Sequence, residues 1–162
     1  SMSESTVALL LEKKIPIVTT FAPLVQQSQP DVARKFGIPD WKIEERQKAI
    51  ANPARYERLV RAATAGVPIV FGTDAGRPAV DHDVIVPELA HMVKVGVCPD
   101  AMDALASITI RAARLSRMDA IIGTLEAGKA ADLIVVDGKP DQDLFALDRV
   151  RMTFVAGKRM HG

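Results

Sequence analysis

The stretch Pro68-Ile69-Val70-Phe71-Gly72-Thr73-Asp74-Ala75-Gly76 decides how this chain is read. Its apolar run has the length of a buried strand and is short for a helix. The run ends at a carboxylate, Asp74, and then at a glycine-punctuated turn. In a barrel of parallel strands, that place lies on the face where catalytic groups gather. An Asp in a Thr-Asp-Ala-Gly turn also suits a plain structural job, capping the turn or the following helix. As a functional group it would be a metal ligand or a general base. A carboxylate is ionised at neutral pH and can take a proton from a metal-bound water.

Upstream, Ile15-Pro16-Ile17-Val18-Thr19-Thr20 reads as a second strand from its β-branched content. A short helix from Thr6 to Lys13, carrying Val7, Leu10 and Leu11, precedes it. A long polar connection follows, through Gln26-Gln27-Ser28-Gln29-Pro30 and Gly37-Ile38-Pro39. An excursion of that length beyond a strand end is expected to be a functional loop. Asp40 is expected to cap a helix running toward Ile50, and Asn52-Pro53 to restart it. Tyr56, Leu59, Val60 and Ala63 continue at helical spacing as far as Gly66.

Downstream of Asp74, Val86, Leu89, Ala90 and Val93 mark an amphipathic helix stopped by Gly96. Pro99 opens another helix with Met102 and Leu105, and Ile110 to Leu115 continues as helix. Strands alternating with helices indicate a parallel α/β arrangement. The pattern then changes. Gly123 to Lys129 is turn-like, Ala131 to Val136 is a strand, and Val150 to Val155 alternates before a hairpin at Ala156-Gly157-Lys158. This predicts a small β element beyond the α/β layers, dividing the chain into residues 3–118 and 119–162.

A length of 162 residues suits one ordinary domain. A complete α/β barrel needs roughly 250 residues. A hydrophobic content of 48% supports a core. Lys+Arg of 21 against Asp+Glu of 20 gives no electrostatic reason to expect nucleic acid or an anionic membrane. No apolar run approaches the ~20 residues of a membrane span, and the N-terminus has no signal-peptide pattern. Cys98, the single cysteine, allows no internal disulfide and no cysteine zinc cluster. It reads as a small core or loop residue, and a reducing, cytoplasmic compartment fits.

Among the histidines, His82 lies in Asp81-His82-Asp83, in the loop after Asp74. It can approach a site above the strand ends, or be a solvated loop residue. His91 is expected on a helix surface or interface, and His161 at a frayed end. No pair has H-x-H or H-E-x-x-H spacing, so the usual zinc site cannot be built from this chain alone. Gly123 to Lys129 matches G-x-x-x-x-G-K, but Ala130 stands where the magnesium-holding hydroxyl belongs and a strand follows instead of a helix. That excludes the phosphate-loop reading and leaves Lys129 in an exposed turn. No G-x-S-x-G elbow supports a serine hydrolase.

Three stretches together resemble the C-terminal part of a metal-dependent amidohydrolase, of the imidazolonepropionase and Xaa-Pro dipeptidase-like branch. Phe71-Gly72-Thr73-Asp74-Ala75-Gly76 is similar to that family's last barrel strand and its aspartate. His82, Pro87-Glu88-Leu89, Met92-Val93, Gly96 and Pro99 are similar to the loop and helices that follow. Ile122 to Val135 is similar to the return into a small β domain. The resemblance covers nearly the whole chain from about residue 6.

It implies an α/β fold made of the last two strands and helices of a TIM-type (β/α)8 barrel, with part of a small β-sandwich-like domain. It implies hydrolysis of C–N bonds in an amide, cyclic amide or peptide substrate. It assigns Asp74 as metal ligand and proton acceptor from the attacking water, His82 as a substrate-covering residue, and a divalent metal, zinc by preference, as cofactor. The family's histidine ligands lie upstream of these motifs. The chain is therefore expected to be a fragment, inactive in isolation, and to associate through exposed barrel edges into a homo-oligomer. The alternative is a non-catalytic α/β module binding a partner chain or its missing N-terminal half.

Overall fold

Two three-residue strands, β1 (Ile17–Thr19) and β2 (Ile69–Phe71), pair in parallel, Ile17 opposite Ile69 and Thr19 opposite Phe71. The computed structural model describes residues 2–76 and 78–162. Around this pair lie α1 (Glu4–Glu12), α2 (Ala22–Gln27), α3 (Pro30–Ala33), α4 (Asp40–Ala51) and α5 (Glu57–Thr64). After β2 come α6 (Ile85–Lys94), α7 (Ala101–Ile108) and α8 (Ile110–Leu115). A three-stranded antiparallel sheet follows, ordered β3 (Leu133–Val136), β4 (Val150–Val155), β5 (Lys158–His161). The fold is thus mixed α/β. No helix among the described residues is long and apolar enough to cross a membrane.

Local chemistry sets the helix starts. Ser3 caps α1 by accepting from the Thr6 amide at 3.2 Å, and Asp100 caps α7 by accepting from the Asp103 amide at 2.8 Å. Pro99 therefore stands before the cap and not inside the helix. Asp40 is the first helical residue of α4, not its cap, and its carboxylate pairs with Arg34 at 2.9 Å. Asn52 does cap, but what it starts is a 3-10 turn, Pro53–Arg55, ahead of α5.

The connection after β1, expected as a loop, is largely helical. Proline sits in the first turn of both α2 and α3, where its missing N–H costs nothing. Ala22, Leu24 and Ala33 bury the segment. Its polar composition hid helices that contribute only a few small apolar contacts.

The main core gathers Ile69 of β2, Leu89 and Met92 of α6, Val97, Cys98, Ala104 of α7, and Leu144. Leu144 opens a 3-10 turn, Leu144–Asp148, so the C-terminal stretch contributes to the same core as the parallel strands. The β4–β5 hairpin turns at Ala156 and Gly157, with φ of 49° and 77°. Two consecutive positive φ values match the right-handed twist of the flanking strands. His161 is paired opposite Thr153 within β5 and is not frayed. Lys129 is packed instead of exposed: its side chain is 13% accessible, and Nζ lies 2.5 Å from Thr124 Oγ1.

Candidate active site

The parallel pair brings the C-terminal tips of β1 and β2 side by side. Gly72 follows β2 directly at this point. A Cβ there would stand 2.7 Å from Val18 Cγ1 and 2.9 Å from the Thr19 carbonyl oxygen, so only glycine lets the two chains run this close. Thr73 then turns the chain, its Oγ1 accepting from the Ala75 amide at 3.2 Å.

Asp74, the next residue, adopts φ of 55° and is exposed. This left-handed conformation is uncommon outside glycine, and Asp tolerates it better than most residues. The bend carries the chain away from the strand direction at the parallel tips, which is where ligands meet open α/β sheets.

The loop onward is supported from below. Gly76 N donates to Val80 O at 3.0 Å. Val80 and Val84 pack on Ala22, the first residue of α2, with Ala75 beside them. Gln27 Nε2 donates to Pro78 O at 3.2 Å, fixing the other end of α2 to the loop. His82 lies on this loop and is exposed. Asp74 and His82 thus share one loop resting on α2.

Beneath the tip of β1 sits a buried polar cluster that the sequence reading did not single out. Glu88 on α6 is fully buried, and its Oε1 accepts from the Phe21 amide at 2.7 Å. Burial pushes its carboxyl up to about 7, against the lowering effect of the Phe21 and Ala22 amides. His91, expected on a helix surface or interface, is buried at 6% accessibility, packed between elements and not on the surface. Its ring meets Phe21 and Tyr56 edge-on, at centroid distances of 5.2 and 5.4 Å.

The Tyr56 hydroxyl donates to Ile50 O at 3.2 Å, and His91 Nε2 lies 3.1 Å from the Tyr56 hydroxyl oxygen. The network therefore assigns the proton to Nε2, which donates to Tyr56. Burial, aided by Lys94, lowers the His91 pKa, so the ring is neutral at pH 7. The signal for Glu88 was present: it is a carboxylate on the same helix face as Leu89 and Met92, a polar residue inside an apolar stripe.

The donors needed for a metal can be tested directly. Among the described residues, no three His, Cys, Asp or Glu side chains are grouped so as to hold an ion. Zinc normally takes three or four protein ligands. These residues therefore do not fit a complete metal centre by themselves. Asp74 is an exposed carboxylate just past the tip of β2.

Residues 44–160 match the amidohydrolase family. The 5-methylthioadenosine/S-adenosylhomocysteine deaminase of Symbiobacterium thermophilum is 50% identical over 98 residues, covering 51% of this chain and 22% of the deaminase. The imidazolonepropionase of Shouchella clausii is 30% identical over 112 residues, covering 67% of this chain and 24% of that protein. The solved structure of a Xaa-Pro dipeptidase with methionine bound in its active site superposes with a TM-score of 0.70 at 31% identity. It takes in 99% of this chain and 38% of the dipeptidase. The chain thus spans less than a quarter of the length of these two curated relatives. The similarity to a deaminase widens the branch beyond the two enzyme types that the motifs resemble. By the extent of the match, which includes β2, the Asp74 loop and every later element, this chain belongs to the amidohydrolase family.

Proposed function

We propose that this chain is the C-terminal portion of a metal-dependent hydrolase acting on C–N bonds of an amide, cyclic amide or peptide. On this reading β1 and β2, with their helices, are the last two strands of a (β/α)8 barrel, and β3 to β5 are part of a small β-sandwich-like domain. The single observation that supports it best is the position of Asp74, exposed just past the tip of a strand paired in parallel. The names of the relatives support the bond type: a deaminase, an imidazolonepropionase and a dipeptidase.

Asp74 would accept the proton of an attacking water and deliver it to the leaving nitrogen, a task for a positioned carboxylate. His82, on the same loop, would lie over the substrate. The family generally uses divalent metals. Asp74 would contribute one ligand to such a centre, completed by groups outside the 162 residues. The isolated chain would accordingly be inactive.

The test pairs this chain with a separately expressed N-terminal barrel segment from a family member. We expect less than stoichiometric zinc and no amide hydrolysis from the chain alone. We expect turnover on pairing, abolished by Asp74→Asn. Stoichiometric zinc with turnover from the unpaired chain overturns the inactivity. Paired activity that survives Asp74→Asn overturns the role of that residue.

One observation favours the second reading, a non-catalytic module that docks a partner chain. Apolar side chains are left open on the C-terminal part, including Leu125 at 83% exposure and Val155 at 51%. Stable pairing without turnover, unaffected by Asp74→Asn, would decide for it.

A further inference from the structure

The buried polar groups include one that the proposed chemistry does not use. Glu88 has no accessible surface. One carboxyl oxygen receives the Phe21 amide at 2.7 Å, and the other, Oε2, is buried with no hydrogen-bond partner among the described residues. A buried carboxyl with half its acceptor capacity unused is costly, so its retention calls for a reason.

Its location supplies one. Glu88 stands in the first half of α6, the helix entered directly from the Asp74–His82 loop through Val84. Its partner, Phe21, stands just beyond the tip of β1 and just before α2. The next residue, Ala22, is the surface on which Ala75, Val80 and Val84 of that loop pack. One carboxyl therefore bridges the tip of β1, which leads into α2, and the helix that ends the loop.

The surroundings are poor in charge. α2 (Ala22–Gln27) contributes no ionisable side chain, and the tip of β1 offers Thr19, Thr20 and Phe21. His91 lies one turn along α6 from Glu88, and Tyr56 touches both Phe21 and His91. From α7, Asp103 is already engaged by Arg111. From the 3-10 turn Leu144–Asp148, Asp148 is exposed.

We propose that Glu88 is a positioning residue that couples the tip of β1 to the Asp74–His82 loop through its bond to the Phe21 amide. The proposal rests on reading that loop as the functional one, but the coupling concerns only groups present in this chain. A carboxylate accepts from an amide more strongly than a neutral carboxyl does. Protonation of Glu88 thus loosens the bridge, and the group changes state at about 7.

The test is a heteronuclear NMR titration of the isotope-labelled 162-residue chain. The readouts are the Glu88 carboxyl carbon, the Phe21 amide, and the Ala75 and Val84 amides in the loop. We expect the carboxyl midpoint near 7, with Phe21, Ala75 and Val84 following the same midpoint. Glu88→Gln should abolish that midpoint while the ring midpoint of His91 persists. A Glu88 midpoint in the ordinary carboxylate range overturns the proposal. So does a shift at Phe21 with Ala75 and Val84 static, because the bond would then hold only the strand tip. If Glu88→Gln fails to fold, the titration of the unsubstituted chain decides alone. Stable pairing without turnover would sink the hydrolase reading and leave these shifts in place, so the two failures are distinguishable.

Discussion

A Cβ on Gly72 would lie 2.9 Å from the carbonyl oxygen of Thr19. That oxygen belongs to the main chain of the neighbouring strand and cannot swing aside. Gly72→Ala must therefore push the strand tips apart or shift Val18, whose Cγ1 would be 2.7 Å away. We expect a loss of about 1–3 kcal/mol, the usual cost of overpacking a tight site. Urea denaturation at constant m-value measures it. An unchanged midpoint would mean that the tips are not held this close.

Glu88 and His91 should give stability a pH dependence of two opposed parts. Glu88 has its folded pKa raised from 4.5 to about 7, so the native state holds more protons between those values. Its contribution is greatest at low pH and is lost as pH rises toward 7, amounting to about 3 kcal/mol at most. His91 has its folded pKa lowered below 6.5 by burial. Its contribution is present above 6.5 and is lost as pH falls. Unfolding free energy followed against pH should therefore be nearly flat in the overlap. Glu88→Gln should expose the His91 limb, with stability rising with pH. A Glu88→Gln profile that still falls toward neutrality would contradict the assignment.

Tyr56→Phe tests the same cluster from the other side. The hydroxyl serves both His91 Nε2 and Ile50 O, at 3.1 and 3.2 Å. Its removal leaves both groups without that partner while the ring contacts with Phe21 and His91 remain. We expect about 1–3 kcal/mol of destabilisation, read by thermal or chemical denaturation. A loss below a few tenths would mean that water replaces the hydroxyl.

How much of this was legible in the sequence depended on the range of the forces involved. β2 and the bend at Asp74 could be read because an apolar run, a glycine and a carboxylate are local signals. The amphipathic α6 was legible for the same reason. α2 and α3 were not, since their helicity rests on Ala22, Leu24 and Ala33 meeting partners far along the chain. His91 could be read only as a helix-surface or interface residue because its partner Tyr56 lies on a different element, and nothing in the spacing of the two announces a contact. Glu88 was visible only as a blemish on an apolar stripe, and the amide it receives comes from beyond β1.

Cys98 should be chemically inert in the folded chain. It is fully buried, and burial together with neighbouring Asp103 pushes its thiol up to about 12. The thiolate is the reactive form, so almost none is present at pH 7. A thiol-specific disulfide reagent should react at the rate of global or local opening, and many-fold faster in denaturant. A burst of reaction in native buffer would show that the core around Met92 and Ala104 opens readily.

Association should follow from the exposed strands. Each strand of the parallel pair has a hydrogen-bonded neighbour on one side in this sheet, and Val18 and Ile15 are 48% and 47% exposed. A two-stranded parallel sheet is small by any standard, and parallel sheets are normally covered on both faces. Arg111 meets part of β2, with Nη1 3.5 Å from Ile69 O, while its guanidinium also pairs with Asp103. We expect light scattering to report a dimer or larger species, with Pro16–Thr20 or Pro68–Phe71 at the contact. Val18→Lys should shift the population toward monomer, because a charge on the exposed strand opposes its burial. A clean monomer at high concentration would show that the exposed strands do not drive self-association. Pairing with an N-terminal barrel segment that suppresses self-association would show that both partners compete for the same edge.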